Sequence, residues 1–277
     1  MNLKRKPIRI LLYITFILII IFSARYIVKS YMVNQESIQE RELLNEIDVE
    51  SGINDGLKSD INSKTKNLLS KENEKKRKER ESKERMLKVQ KLQEQNSDIV
   101  GWIEIEETNI SYPVLQGDDD VFYLTHNYKM EQTEKGSIFL TADYDWNIAG
   151  NNLIIYGHNL VNGQMFKDLL KYSDEKFYRK HPVIRFTTNK TDIVFDVMSA
   201  FKSRVYNKDE ENVFKYYDFI NSENKNEYNK FVENAKKYSI YDTGVDAKYG
   251  EQLITLITCS YHSDDGRFVL IGKQTWG

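Results

Sequence analysis

Chemistry in this chain starts from one thiol. Among 277 residues there is a single cysteine, Cys259, and it closes the apolar run 253–258, Leu-Ile-Thr-Leu-Ile-Thr. Ser-Asp-Asp-Gly at 263–266 supplies turn residues, and Arg267 then opens a second apolar run. The pattern predicts a hairpin-like connection with Cys259 at one mouth and Arg267 at the other. A thiolate is a strong nucleophile, but a free thiol is only slightly ionised near neutral pH and needs a base or a cationic neighbour. Four histidines are available. His158 follows Leu-Ile-Ile-Tyr-Gly and so ends a strand-like run, the same kind of position that Cys259 occupies. His126 lies in Leu-Thr-His-Asn-Tyr, His181 precedes Pro182, and His262 sits three residues after the cysteine. Only His158 has the strand-end placement. A guanidinium at Arg267 could donate to a carbonyl oxygen as it gains negative charge. Each residue also has a plainer reading: Cys259 as a small buried hydrophobe, the histidines as hydrogen-bonded structural groups, and Arg267 as an ion-pair partner of Asp264 or Asp265.

Positioning such residues falls to a series of short strands. Strand-like runs recur at 99–105, 110–115, 137–141, 152–156, 183–187, 193–201, 253–258 and 267–273, with turn residues between them. Many short strands with few helices predict a mainly β fold that closes into a barrel and so removes its edges. Helical stretches are expected at 121–125, 165–172 and 222–238. The last lies in a long excursion, residues 203–251, just before the cysteine strand, where an insertion can build a wall of a site.

Upstream of residue 96 the composition changes twice. Lys4, Arg5, Lys6 and Arg9 precede an apolar run, residues 10–24, interrupted only by Thr15 and Ser23, and Arg25 can snorkel to lengthen the span. Residues 1–30 therefore read as a cytoplasmic N-terminus followed by a transmembrane signal anchor, with the remaining chain outside the cell. A cleaved signal peptide competes with this reading, but no small-x-small site follows the apolar core. Residues 31–95 are polar and charged, with Glu-Lys and Glu-Arg pairs at i,i+4 spacing from Glu72 onward, which predicts a solvated helical stalk with Ser70 as a plausible N-cap. Met86, Val89 and Leu92 are its one apolar strip, too short for a sustained coiled-coil seam. Residues 96–277 form the expected catalytic domain. One cysteine outside the cytoplasm cannot form an intrachain disulfide, which strengthens the case for a working thiol. Forty Lys and Arg against 42 Asp and Glu leave a net charge of −2, which gives no basic field for nucleic acid. No metal-ligand spacing and no glycine-rich phosphate loop is present, so a cofactor-free enzyme is expected.

Taken together, Thr-Leu-Ile-Thr-Cys, the downstream Asp-Gly-Arg and the distant Tyr-Gly-His-Asn resemble the sortases, membrane-anchored cysteine transpeptidases of Gram-positive bacteria. The segments 96–116, 122–128, 136–140 and 241–245, with the helical insertion before the cysteine strand, resemble class B. The resemblance covers residues 96–277 and implies an eight-stranded sortase barrel with peripheral helices. It implies Cys259 as nucleophile, His158 as general acid and base, and Arg267 as the group that orients substrate and meets the oxyanion. It further implies cleavage of an NPQTN-like sorting motif after its Thr and transfer of the acyl group to an amine of peptidoglycan precursor. Tyr217 in the insertion and Ser260 beside the nucleophile are candidate substrate contacts. Two other classes stay open at this point. A Cys/His peptidase or amidase would use the same pair, although such enzymes usually place the cysteine first and at a helix N-terminus. A non-enzymatic envelope scaffold would explain the N-terminus but not the strand-end residues.

Overall fold

The computed structural model describes residues 25, 63–148, 152–222, 224–260 and 263–276. Most of the N-terminal segment expected to anchor the chain, including the apolar run 10–24, lies outside the described residues, as does His262. Among the described residues no helix is long and apolar enough to cross a membrane.

A long helix, α1 (Ser63–Gln93), precedes eight strands: β1 (Ile99–Glu104), β2 (Ser111–Leu115), β3 (Ile138–Leu140), β4 (Asn152–Tyr156), β5 (Val183–Thr187), β6 (Asp192–Arg204), β7 (Leu253–Cys259) and β8 (Gly266–Trp276). They close a barrel in the order β1-β2-β3-β4-β7-β8-β6-β5. All eight expected strands are present. Two contacts in the ring are parallel, β2 with β3 and β4 with β7, and the rest are antiparallel.

β7 is buried on both faces, which is why its sequence reads as a run rather than an alternation. Ile254 and Leu256 join Phe186, Phe195 and Phe268 in one apolar cluster. Leu253 and Ile257 join a second cluster that includes Phe231 and Val232 of the helix Lys225–Tyr238. That helix, α3, starts at Lys225 because the Asn224 side chain accepts from the Glu227 amide. The insertion is tied to the barrel at Asn152, whose buried amide donates to Phe219 O at 2.9 Å and whose oxygen accepts from Thr255 Oγ1 at 2.8 Å. The other expected helices are tighter than the pattern suggests. Phe122–Leu124 and Phe166–Ser173 are 3-10 helices, and a short helix α2 (Glu175–Lys180), capped by Asp174, follows the second. The sequence reading missed α2, whose six residues are too few to show a period.

The charged helix α1 ends at Gln93, near the change of composition, but its last turns are not solvated. Ser70 lies inside it rather than at its cap. Glu72 pairs with Lys76 and Glu74 with Lys78, at 2.9 and 3.0 Å, as the spacing predicts. Arg85 does something else: its Nη2 reaches Asp192 Oδ2 at 2.6 Å, and Arg185 Nη1 reaches the same oxygen at 3.0 Å. Thr187 Oγ1 donates to the other oxygen of Asp192 at 2.7 Å. Val89 and Leu92 are fully buried, and Lys88 Nζ lies 4.1 Å from the Trp102 ring centroid. The last turns of α1 therefore pack on the barrel, just upstream of the boundary drawn at residue 95 on composition.

Asp192 generates a prediction. Its side chain is buried, which alone would raise its pKa, but hydrogen bonds from Arg85 and Thr187 and the charges of Arg185 and Arg85 win and hold it below the ordinary carboxylate range. A depressed carboxylate adds stability above its unfolded pKa, and that stability is lost as pH falls through the folded one. Asp192→Asn should lower stability by about 2–3 kcal/mol at neutral pH. The difference from the parent should shrink as the medium is acidified below the ordinary carboxylate range. Thermal unfolding across pH checks both.

Candidate active site

β4 and β7 run parallel, with Tyr156 registered opposite Ile257. Two residues beyond each lies one of the expected catalytic residues, His158 and Cys259. Three hydrogen bonds carry the pairing past the end of the ladder. Gly157 N donates to Ile257 O at 3.1 Å, Thr258 Oγ1 to Gly157 O at 2.8 Å, and Asn159 Nδ2 to Cys259 O at 2.9 Å. The two strand ends are thus sewn together at the edge where the side chains emerge. Gly157 is required here by space. A Cβ at this position would lie 2.3 Å from Ile138 Cδ1 and 2.7 Å from Phe166 Cδ2.

Arg267 arrives by antiparallel pairing, directly across from Cys259. Its Nη1 donates to Gly266 O at 3.0 Å, and among the described residues no ion pair joins it to Asp264 or Asp265. His158, Cys259 and Arg267 are all half-buried and line one cavity of about 310 Å³. The same cavity is walled by Leu124, Phe139, Tyr156, Val205 and Ile257, which makes much of it apolar. Burial, and then the charges of Asp120 and Asp218, push the Tyr156 hydroxyl well above its ordinary pKa. Burial does the same for Tyr216, against the opposing charge of Arg267. Both phenols therefore stay neutral, and the guanidinium faces no phenolate. His158 Nε2 lies 2.8 Å from Leu124 O.

The two other histidines among the described residues, His126 and His181, have structural work. His126 Nδ1 is 2.9 Å from Phe122 O and its ring stacks on Phe122. His181 ends α2, with Nδ1 3.0 Å from Glu106 O. Tyr217 lines the cavity as expected of a substrate contact, yet its hydroxyl accepts from Tyr206 N at 2.9 Å and donates to Tyr206 O at 3.3 Å. It offers the cavity its ring more than its oxygen. Ser260 is buried, its amide donates to Gly266 O at 2.8 Å, and it is not among the described residues that line the cavity. Sequence reading did not single out Tyr156, Tyr216, Asp120, Leu124 or Val205. Only Tyr156 carried a signal, its place just before Gly157 and His158; the rest come from loops whose path no periodicity reveals.

A β-barrel that presents a strand-end thiol, a strand-end imidazole and a cross-strand guanidinium in one apolar-walled cavity belongs to the cysteine acyl-transfer enzymes. A sortase domain is matched over residues 103–275. The chain is 34% identical over 184 residues to sortase B of Listeria monocytogenes and 33% identical over 184 residues to sortase B of Staphylococcus aureus; in both cases the match covers 66% of this chain and 72% of the relative. A solved Staphylococcus aureus sortase B–substrate complex superposes with a TM-score of 0.61 at 30% identity, covering 68% of this chain and 84% of that one. The chain belongs to the sortase family, and within it to class B, the cysteine transpeptidases.

Arg267 can be tested here, because its two readings differ in what they need. An oxyanion donor needs the planar fork, so Arg267→Lys should slow transfer by a barrier increase of about 3 kcal/mol with little change in melting temperature. An arginine that only supports the hairpin would give the reverse, near-normal transfer with a small loss of melting temperature. Rate and melting temperature measured on one sample decide between them.

Proposed function

We propose that Cys259 is the nucleophile, His158 the general acid and base, and Arg267 the oxyanion donor of a transpeptidase that joins secreted proteins to the cell wall. The observation that supports this most is the register. Parallel pairing of β4 with β7 and antiparallel pairing of β7 with β8 converge three residues of complementary chemistry on one cavity.

The reaction runs in two halves. The Cys259 thiol gives its proton to His158 and its sulfur attacks the carbonyl carbon of the sorting-motif Thr. The oxygen becomes negative and takes hydrogen bonds from Arg267. The tetrahedral centre collapses, the C–N bond breaks, and the leaving amine takes the proton from His158. A thioester remains. An acceptor amine then attacks that thioester, His158 takes its proton, and the thiolate leaves as the new amide forms. Splitting one exchange into two gives the first half a better nucleophile, the thiolate, and the second a better leaving group, the same thiolate. Apolar walls such as Phe139, Val205 and Ile257 disfavour water at the thioester, which favours transfer over hydrolysis.

The substrate is an NPQTN-like motif near the C-terminus of a secreted protein, and the acceptor is an amine of peptidoglycan precursor. Resemblance to class B, and the substrate complex of the Staphylococcus aureus relative, support a peptide substrate. The segment 1–30 anchors the enzyme in the membrane with its catalytic domain outside, and the charged part of α1 spaces the two; the basic flank and the apolar run 10–24 support this. Resistance of the full chain to extraction from membranes at alkaline pH, lost on deleting residues 1–30, tests the anchor.

Incubating the purified chain with an Asn-Pro-Gln-Thr-Asn peptide and an amine-bearing peptidoglycan stem peptide should yield the joined product. Cys259→Ala should abolish it without unfolding the protein. Cleavage without joining would turn the assignment to a hydrolase, and substantial joining by Cys259→Ala would remove the thiol mechanism.

A further inference from the structure

The base in this site is held by a main-chain atom. His158 Nε2 lies 2.8 Å from Leu124 O. A carbonyl oxygen only accepts, so Nε2 carries the hydrogen, and Nδ1 is the ring nitrogen left to take the thiol proton. When that proton arrives the ring becomes a cation, and the Nε2–H···O bond strengthens. A third group that orients the base is the general pattern for an activated nucleophile. We propose that the Leu124 carbonyl fills this role, and that Gly136 is a positioning residue whose lack of a side chain keeps that carbonyl in place. The proposal rests on His158 being the base.

Leu124 ends the 3-10 helix Phe122–Leu124, inside the connection from β2 to β3, so no strand ladder fixes the direction of its carbonyl. The turn is held from several sides. Asp119 Oδ1 accepts from Val121 N and Phe122 N, both at 2.8 Å. Tyr123 Oη donates to Asp98 at 2.6 Å, and Tyr123 O accepts from Ser137 N at 2.8 Å. Gly136 lies against it with φ +58°, and a Cβ there would sit 2.5 Å from Leu124 O and 2.8 Å from Leu124 C and Tyr123 O. All three are backbone atoms, which cannot swing aside as a side chain would. The atom struck first is the oxygen that holds His158.

Two reasons for a glycine are mixed at this position, the positive φ and the close approach, and other glycines separate them. Gly250 has φ +95° and Gly244 φ +71°, and a Cβ on either would meet nothing within 4 Å. Alanine at Gly250 therefore introduces backbone strain alone. Alanine at Gly136 introduces strain and displaces the Leu124 carbonyl. The charged and titratable groups that share the cavity with His158 are Cys259 on β7, Arg267 on β8, Tyr156 on β4, Asp120 on the β2–β3 connection, and Tyr216 and Tyr217 on the insertion. None is altered in either variant.

The experiment compares the full chain with its Gly136→Ala and Gly250→Ala variants for kcat, KM, melting temperature and the NMR titration of the His158 ring. Gly136→Ala is expected to lose about 10-fold or more in kcat with KM changed by less than about 3-fold. The NMR signature of its His158 ring across pH should change, because the imidazolium has lost an acceptor. Gly250→Ala is expected to lose melting temperature while kcat and the titration stay where they were. Should Gly136→Ala fail to fold, Gly136→Asn takes its place, since Asn tolerates a positive φ and still carries a Cβ. Equal kcat and titration in the position-136 and position-250 variants would overturn the proposal. His158→Ala separates the two layers: if it keeps turnover, the base is wrong, whereas a dead His158→Ala beside an unaffected position-136 variant removes only the carbonyl.

Discussion

Everything in this site depends on two strands running the same way. A parallel pair ends both strands at one edge of the sheet, so residues that follow them leave in the same direction. In β4 and β7 the register sets Tyr156 beside Ile257. His158 and Cys259, at equal distances beyond that pair, must then emerge together. An antiparallel pairing would have put them at opposite ends of the barrel. The next contact in the ring is antiparallel, and it returns the chain so that Arg267 faces Cys259. One parallel and one antiparallel contact are enough to gather imidazole, thiol and guanidinium.

Parallel strands need a long crossover, and here the crossover carries the rest of the architecture. Between β4 and β7 the chain lays down β5, β6 and the insertion with α3. The insertion is no loose appendage. It supplies the second apolar cluster, against which Leu253 and Ile257 of the cysteine strand are buried. The Cys259 thiol is therefore presented from a strand packed on both faces, with little freedom for its backbone to drift. The same insertion brings Tyr216 and Tyr217 to the cavity, so what shapes the cavity also stiffens the cysteine strand.

Polar atoms do the fine placement. Asn159 and Thr258 tie the β4 and β7 ends together through Cys259 O and Gly157 O. The Leu124 carbonyl, from the connection between β2 and β3, lies 2.8 Å from the His158 imidazole. At the start of β6 a buried carboxylate, Asp192, takes hydrogen bonds from Arg85 of α1, from Arg185 and from Thr187, and so ties the helix to β5 and β6. Each of these uses a local polar bond to set a direction that apolar packing alone leaves loose.

The sequence by itself determined the strands and the chemistry. All eight strands were legible, because alternation and apolar runs between turn residues are local properties of the chain. Cys259, His158 and Arg267 were legible as candidates because each stands at the end of such a run. The i,i+4 pairs early in α1 formed as their spacing predicts, since a helix decides its own neighbours. What only the tertiary structure decided is which ends meet and which side chains are diverted. Arg85 left the helix for Asp192, far along the chain, because a buried carboxylate is a stronger partner than an exposed one. Tyr217 spent its hydroxyl on the Tyr206 backbone, and Ser260 turned away from the cavity. Leu124 and Gly136 fall within the segments 122–128 and 136–140 that carried the resemblance, but nothing in them pointed to a contact with His158, because a main-chain carbonyl has no residue identity. Its direction is set by the turn that bears it and by the missing side chain beneath it. Contacts between residues distant in sequence follow from strand order and register, which local propensity does not encode.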